Sequence, residues 1–219
     1  MRKSILILFL LLFPLTFSVA ESSTVYTGFV TGPEDTGFVF HTGDRILRLP
    51  LGPDTVLDTE RELQDGDYVT VTVTGTDHGG IPHTERILQA VLTGTVSGPA
   101  DSGFLLQPDS GEDPVLVLTD SEWPSGFPVT VFWNGMMTRS IPPRINALHI
   151  RGRVLEGTVS EVGEDGSFLL TTDSGDCVIA VTPETVCLTG VLRDAFLTVE
   201  IGPLMTLSEP PRVNALVIR

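Results

Sequence analysis

The side chains with the most chemical potential fall in a few places. Asp77-His78-Gly79-Gly80-Ile81-Pro82-His83 gathers a carboxylate and two imidazoles, Asp77, His78 and His83, on one short loop. Zinc is drawn to such donors, although its sites take three or four ligands held by an ordered outer shell. The loops at the matching places further along, WNGMMTRSIPP and IGPLMTLSEPP, carry no histidine. Cys177 and Cys187 are the two thiols. A disulfide between them needs Cα atoms within about 7 Å, whereas ten extended residues span roughly 33 Å. The chain must therefore fold back, and Thr182-Pro183 offers the bend; left unbridged, the thiols act as small apolar fillers. Carboxylates cluster at Glu34-Asp35, Asp109, Glu112-Asp113, Glu164-Asp165 and Asp173 with Asp176. Hard oxygen ligands on such turns can hold calcium weakly, but no acidic loop of EF-hand spacing is present.

Covalent and phosphate chemistry have no carriers. The sequence contains no G-x-S-x-G, no H-E-x-x-H and no Gly-Lys-Ser/Thr phosphate loop. No residue is assigned a catalytic role and no cofactor is expected. A hydrolase built on two carboxylates would need them to converge in a cleft, and small barrels fill their interiors with side chains.

The elements that position these residues repeat. GFVTGPEDTGFVF (28–40), GTVSGPADSGFLL (94–106) and GTVSEVGEDGSFLL (157–170) each read as a strand, a turn and a second strand marked by Phe38, Phe104 or Phe168. Third strands follow in RILRL, PVLVL and CVIAV, and fourth strands in DYVTVTV, PVTVFW and FLTVEI. PPRINALHIR (142–151) and PPRVNALVIR (210–219) share eight of ten residues and read as closing strands, with ERILQAV (85–91) their diverged counterpart. In these strands Leu148 and Ile150, like Leu216 and Ile218, are expected on one side of the pleat. Arg144/Asn146 and Arg212/Asn214 are expected to cap turns. Asp58 to Gln64 is the best helical candidate, for one or two turns.

Five strands per unit predict an all-β fold of three tandem OB-like five-stranded small barrels following a cleaved signal peptide. The expected divisions are 1–20 for the signal, then 21–91, 92–153 and 154–219. No Ser/Gly linker separates the units, so a stiff row of docked barrels is expected. Arg2 and Lys3, an apolar run from Ile5 to Phe17, and Ser18-Val19-Ala20 make the three parts of an export leader. The mature chain, Glu21 to Arg219, is expected in the periplasm or outside the cell. The full chain carries a net charge of −15, and loss of the leader removes two of its cations. Such a charge repels polyanions and acidic lipid, so neither a nucleic-acid partner nor membrane insertion after cleavage is expected.

The Gly-x-Val and Gly-Phe-x-Leu strands, the Thr182/Thr185/Val186 pattern and the closing Ala147/Ile150 and Ala215/Ile218 resemble the exported bacterial OB-like domains of unknown function. The first unit departs with Thr84/Ile87, and the second with Trp123-Pro124-Ser125-Gly126. The resemblance implies a small barrel and an envelope location, and implies no reaction.

OB folds bind through the face of strands two and three and the loops beside it, including the loop between strands four and five. Here that loop carries Trp133, Met136 and Met137 in the second unit and Leu204, Met205 and Leu207 in the third. These six are the candidate partner-binding residues, because exposed apolar patches mark contacts. The expected function is a non-enzymatic secreted or periplasmic binding or scaffolding protein for an unidentified protein or envelope component. A weak calcium, zinc or small-ligand binder is the alternative, and an envelope hydrolase the third reading.

Overall fold

The computed structural model describes residues 23–43, 45–59, 61–76 and 82–219, and every regular element among them is a β-strand. Residues 1–20, expected from the sequence to be a leader, lie outside this set. The first barrel holds β1 (Ser23–Glu34), β2 (Gly37–Thr42), β3 (Arg45–Pro50), β4 (Val56–Asp58), β5 (Tyr68–Thr76) and β6 (Pro82–Leu88). The second holds β7 (Ala90–Ala100), β8 (Gly103–Pro108), β9 (Val115–Leu118), β10 (Pro128–Trp133) and β11 (Arg144–Arg151). The third holds β12 (Arg153–Val162), β13 (Phe168–Thr172), β14 (Gly175–Ala180), β15 (Val186–Cys187), β16 (Phe196–Met205) and β17 (Arg212–Ile218).

In the second barrel β7, β8, β9, β11 and β10 follow one another around a closed ring, antiparallel except where β9 meets β11 in parallel. The third repeats this order, with β14 parallel to β17. The first has the same strand order, but its β3 and β6 are not hydrogen-bonded among the described residues. This is the OB-like arrangement, with the short β4 and β15 added as parallel partners of β6 and β17. The helix expected from Asp58 to Gln64 is absent among the described residues. There the buried Asp67 carboxylate accepts the Gln64 N–H at 2.8 Å and the Arg61 guanidinium at 2.5 Å, and these local bonds compete with a segment too short to nucleate a helix.

Strand alternation builds the cores. Phe38/Phe40, Phe104/Leu106 and Phe168/Leu170 are buried at i and i+2 of the second strand in each barrel. Each seeds a separate apolar cluster. The glycine that opens each Gly-x-Val strand is required by a close approach. A Cβ on Gly28, Gly94 or Gly157 would lie 2.1, 2.3 or 2.3 Å from the carbonyl oxygen of His41, Gln107 or Thr171 on the neighbouring strand.

The closing strands carry a bulge that changes their inward set. Phe132 pairs His149 while Trp133 pairs Ala147, so Leu148 is an extra residue; Glu200/Val217 and Ile201/Ala215 do the same around Leu216. Parity switches at the bulge. Ala147 with Ile150, and Ala215 with Ile218, therefore join the cores, and the expected grouping of Leu148 with Ile150 is corrected. Leu216, freed from its own interior, packs against the core of the second barrel.

One-residue links join the barrels, Gln89 between β6 and β7 and Gly152 between β11 and β12. The Trp123 ring and the Ile201 carbonyl lie so close to Gly152 that a Cβ there would meet both at 2.8 Å. The barrels do not form a simple row. Arg219 of the third reaches the Asp65 carbonyl of the first at 3.5 Å, and Arg151 of the second donates to the Gly66 carbonyl at 2.8 Å. All three meet at one joint.

Candidate binding surfaces

At this joint Glu200 projects from β16 with its side chain fully buried. His149 Nε2–H donates to Oε2 at 3.0 Å, and Arg151 Nε–H donates to Oε1 at 2.7 Å; Arg219 Nη1 lies 3.5 Å from the same oxygen. Burial alone would raise the carboxyl's pKa. The His149 hydrogen bond and the charges of Arg151, His149 and Arg219 outweigh it, holding the group below its ordinary value of 4.5. The imidazole stacks on Tyr68 with ring centroids 5.1 Å apart and meets the edge of Phe29 at 5.0 Å. Arg151 lies over the Phe132 ring, 4.9 Å from its centroid. Phe29 and Tyr68 come from the first barrel, Phe132, His149 and Arg151 from the second, and Glu200 and Arg219 from the third. The arrangement positions barrels, and every group in it is occupied with another.

The loops between the fourth and fifth strands are stapled alike. Thr138 N–H donates to the Arg144 carbonyl at 3.0 Å, and Arg144 N–H returns a bond to Thr138 Oγ1 at 2.9 Å. Ser140 Oγ lies 2.7 Å from the same hydroxyl and donates to the Pro142 carbonyl at 2.8 Å. Thr206, Ser208, Pro210 and Arg212 reproduce all four contacts at 2.9, 2.8, 2.6 and 2.9 Å. Ile141-Pro142 and Glu209-Pro210 are both cis. The caps thus come from threonine hydroxyls that accept the arginine backbone N–H and serine hydroxyls that donate to the proline carbonyl. The arginine and asparagine side chains are not the capping groups; Arg212 pairs instead with Asp165 at 3.5 Å. Ser167 hydrogen bonds, together with Arg212, hold the Asp165 carboxyl below its ordinary pKa.

Five of the six candidate contact residues, Met136, Met137, Leu204, Met205 and Leu207, are exposed, as is their neighbour Ile141 in the same loop. Trp133 is not with them. It packs against the core of its own barrel, and its indole N–H is buried without a hydrogen-bond partner. Trp133 pairs with Ala147 across the bulge, and the small alanine admits the ring. Leu204 also borders a groove of about 710 Å³ between the second and third barrels, opposite the Pro99–Gly103 turn. Trp123 lines that groove and likewise holds a buried indole N–H without a partner. Sequence reasoning missed Trp123, which was visible only as a departure from the repeat.

The remaining candidates are not brought together. Cys177 is buried and Cys187 exposed, and both are free. Val178 pairs Arg212 whereas Cys187 pairs Ile218, so the two thiols lie near opposite ends of β17. A separation of about 20 Å at 3.3 Å per residue excludes the disulfide, so of the two states the sequence left open the thiols are free. Asp77 and His78 lie outside the described residues, and His83 is exposed on β6. Among the described residues no three His, Cys, Asp or Glu side chains group to hold an ion.

No protein-family model and no curated protein matches the chain. Among solved structures it is similar to Drosophila Unr CSD456, at 15% identity and a TM-score of 0.25, over 91% of this chain and 98% of that one. It is also similar to a multidomain protein with nucleic acid binding domains from Streptococcus pneumoniae TIGR4, at 12% identity and a TM-score of 0.22, over 88% of this chain and 72% of that one. This finding corrects the expectation that nucleic acid is excluded as a partner. Net charge is a property of the whole chain and does not set the sign of each local surface.

Proposed function

We propose that the chain is an exported, non-catalytic binding protein that presents its stapled loops to a protein partner. The observation that carries this reading is the repetition of one hydrogen-bonded staple beneath exposed apolar side chains in two barrels. Ordering a loop on binding opposes association. A loop already fixed by four hydrogen bonds avoids most of that cost, and large apolar side chains at its tip gain from leaving water. The groove beside Leu204 supplies a concave neighbour for the same contact. Export rests on the leader-like sequence of residues 1–20, and the non-catalytic role on a sequence that carries no nucleophile-elbow, zincin or phosphate-loop motif.

The test replaces Met136, Met137, Leu204 and Met205 together with serine and measures affinity capture from an envelope extract. The account expects capture to be lost while the circular dichroism spectrum and melting temperature stay close to those of the parent. Unchanged capture by the folded variant would reject the surface. Thr138→Val with Thr206→Val keeps every apolar side chain but loosens both staples; weakened capture there supports the role assigned to rigidity.

A further inference from the structure

The second barrel lacks a strand that both of its neighbours have. β4 and β15 run parallel to the closing strands β6 and β17, pairing Leu57 with Ile87 and Cys187 with Ile218. The counterpart of these isoleucines is Ile150, since Val131/Ile150, Val199/Ile218 and Val71/Ile87 are matching pairs. Among the described residues no strand lies beside Ile150 on that side. The reason is chain length. Only residues 119–122 join Leu118 to Trp123, whereas 181–190 join Ala180 to Val191 and 51–62 join Pro50 to Leu63. Trp123, Val191 and Leu63 match because each precedes the same turn bond, from Phe127 N–H to the Pro124 carbonyl, Ala195 to Leu192 and Asp67 to Gln64. So short a link cannot run out along β11 and return.

The shorter link leaves a strand edge open. Thr198 and Arg219 exchange both backbone hydrogen bonds, at 2.7 and 3.0 Å, so Ile218, one residue earlier, turns its N–H and C=O away from β16. Its carbonyl accepts the N–H of Leu188, which follows β15, at 2.8 Å. Ile150 has the same relation to β10, and among the described residues no backbone group bonds to it from that side. Ile150 keeps 8% of its surface exposed, whereas Ile87 and Ile218 keep none. A cavity of about 330 Å³ borders this edge, lined by Glu122, Leu148 and Ile150 of the second barrel and by Glu184, Val186 and Leu216 of the third. It holds roughly eleven waters at about 30 Å³ each, room for a stretch as short as β4 or β15. Leu148 and Leu216 are the two bulge residues, so the irregularity in each closing strand brings a leucine to the same wall. No lysine or arginine lines the cavity. Neither Glu122 nor Glu184 is ion-paired among the described residues.

We infer that the open edge of β11 takes an extended, basic segment of a partner protein as the parallel strand that β4 and β15 supply in the other barrels. The Ile150 N–H and C=O would bond the backbone of that segment. Leu148, Val186 and Leu216 would receive its apolar side chains, and Glu122 and Glu184 would favour lysine or arginine at its flanks. This surface does not depend on the stapled loops, so either can fail without the other.

The test follows amide chemical shifts of isotope-labelled residues 21–219 during titration with three end-capped peptides. One is Lys-Val-Thr-Val-Lys, one its Glu-Val-Thr-Val-Glu counterpart, and one the lysine peptide with both valine nitrogens methylated. The inference expects saturable shifts centred on the Leu148 to Ile150 amides with the lysine peptide. The glutamate peptide and the methylated copy should each bind roughly tenfold more weakly or worse. Glu122→Arg with Glu184→Arg, both at exposed positions, should reverse the preference between the lysine and glutamate peptides. No saturable shift with the lysine peptide would overturn the inference, as would undiminished binding of the methylated copy. Shifts centred on Met136 and Met137 instead would give the peptide to the stapled loops and also overturn it. Shifts at Leu148 to Ile150 that grow with protein concentration alone would give the edge to a second copy of the chain, and the partner assigned here would be wrong.

Discussion

Glu200 shows how one side chain can fix the relation of barrels that repeat one another. It occupies the place held by Phe132 in the second barrel and Thr72 in the first, because Val131/Ile150, Val199/Ile218 and Val71/Ile87 are equivalent pairs. A search for reactive residues that recur in each copy passes over such a position. A joint between unlike neighbours uses each copy differently, so divergence at a matched site was the legible signal, and His149 standing where the third repeat has Val217 was half of it. Replacing Glu200 with leucine should cost about 3–5 kcal/mol, because the largely buried Arg151 and Arg219 lose their counter-charge and His149 its hydrogen-bond partner. The pH response has a definite sign. The folded carboxyl titrates below its ordinary value of 4.5, so its stabilisation is present above that value and is lost as pH falls through the lower folded pKa. Melting temperatures across this acid range should fall in the parent and fall less steeply in Glu200→Gln. The thiols give a second check at this scale. Exposed Cys187 should react at once with a thiol reagent, whereas Cys177, whose pKa burial pushes up, should react only on unfolding; no reactive thiol in the native protein would indicate a bridge.

Strand and turn chemistry was the most legible part of the sequence, because period-2 burial and paired turn residues act locally. Gly-x-Val marked the first strand of every barrel, and the structure supplies its reason in the approach of a carbonyl oxygen to the missing Cβ. Gly94→Ala should destabilise by about 1–3 kcal/mol through overpacking. Gly98→Ala, with open space around its Cβ, should change stability by no more than about 0.5 kcal/mol. Equal losses in denaturant unfolding would remove the steric account of the motif. The bulge at Leu148 and Leu216 was not legible, since one extra residue in a strand leaves the apolar pattern plausible in either parity. The Asp58–Gln64 segment misled for a related reason: its helical composition is overridden by the Asp67 hydrogen bonds, which depend on a residue beyond the segment. Thr138 and Thr206 were within reach, since T-x-S-x-P-P-R recurs intact, but the arginine and asparagine identities drew attention away from the hydroxyls that form the staple.

The whole molecule depends on the joint being stronger than the short links alone would require. One-residue connections at Gln89 and Gly152 leave little freedom, and Leu216, Trp123 and the Glu200 cluster carry apolar and ionic contacts across the boundaries. Rigid docking would also fix the two stapled loops relative to each other. Three barrels of this size would each be marginal alone, since a domain of about 60 residues buries only some 60% of its unfolded surface. Differential scanning calorimetry of residues 21–219 tests this dependence directly. The account predicts one transition whose calorimetric enthalpy matches its van't Hoff enthalpy, a ratio of about 1. Separate transitions, or a ratio approaching the value of about 3 given by three equal and independent barrels, would contradict it.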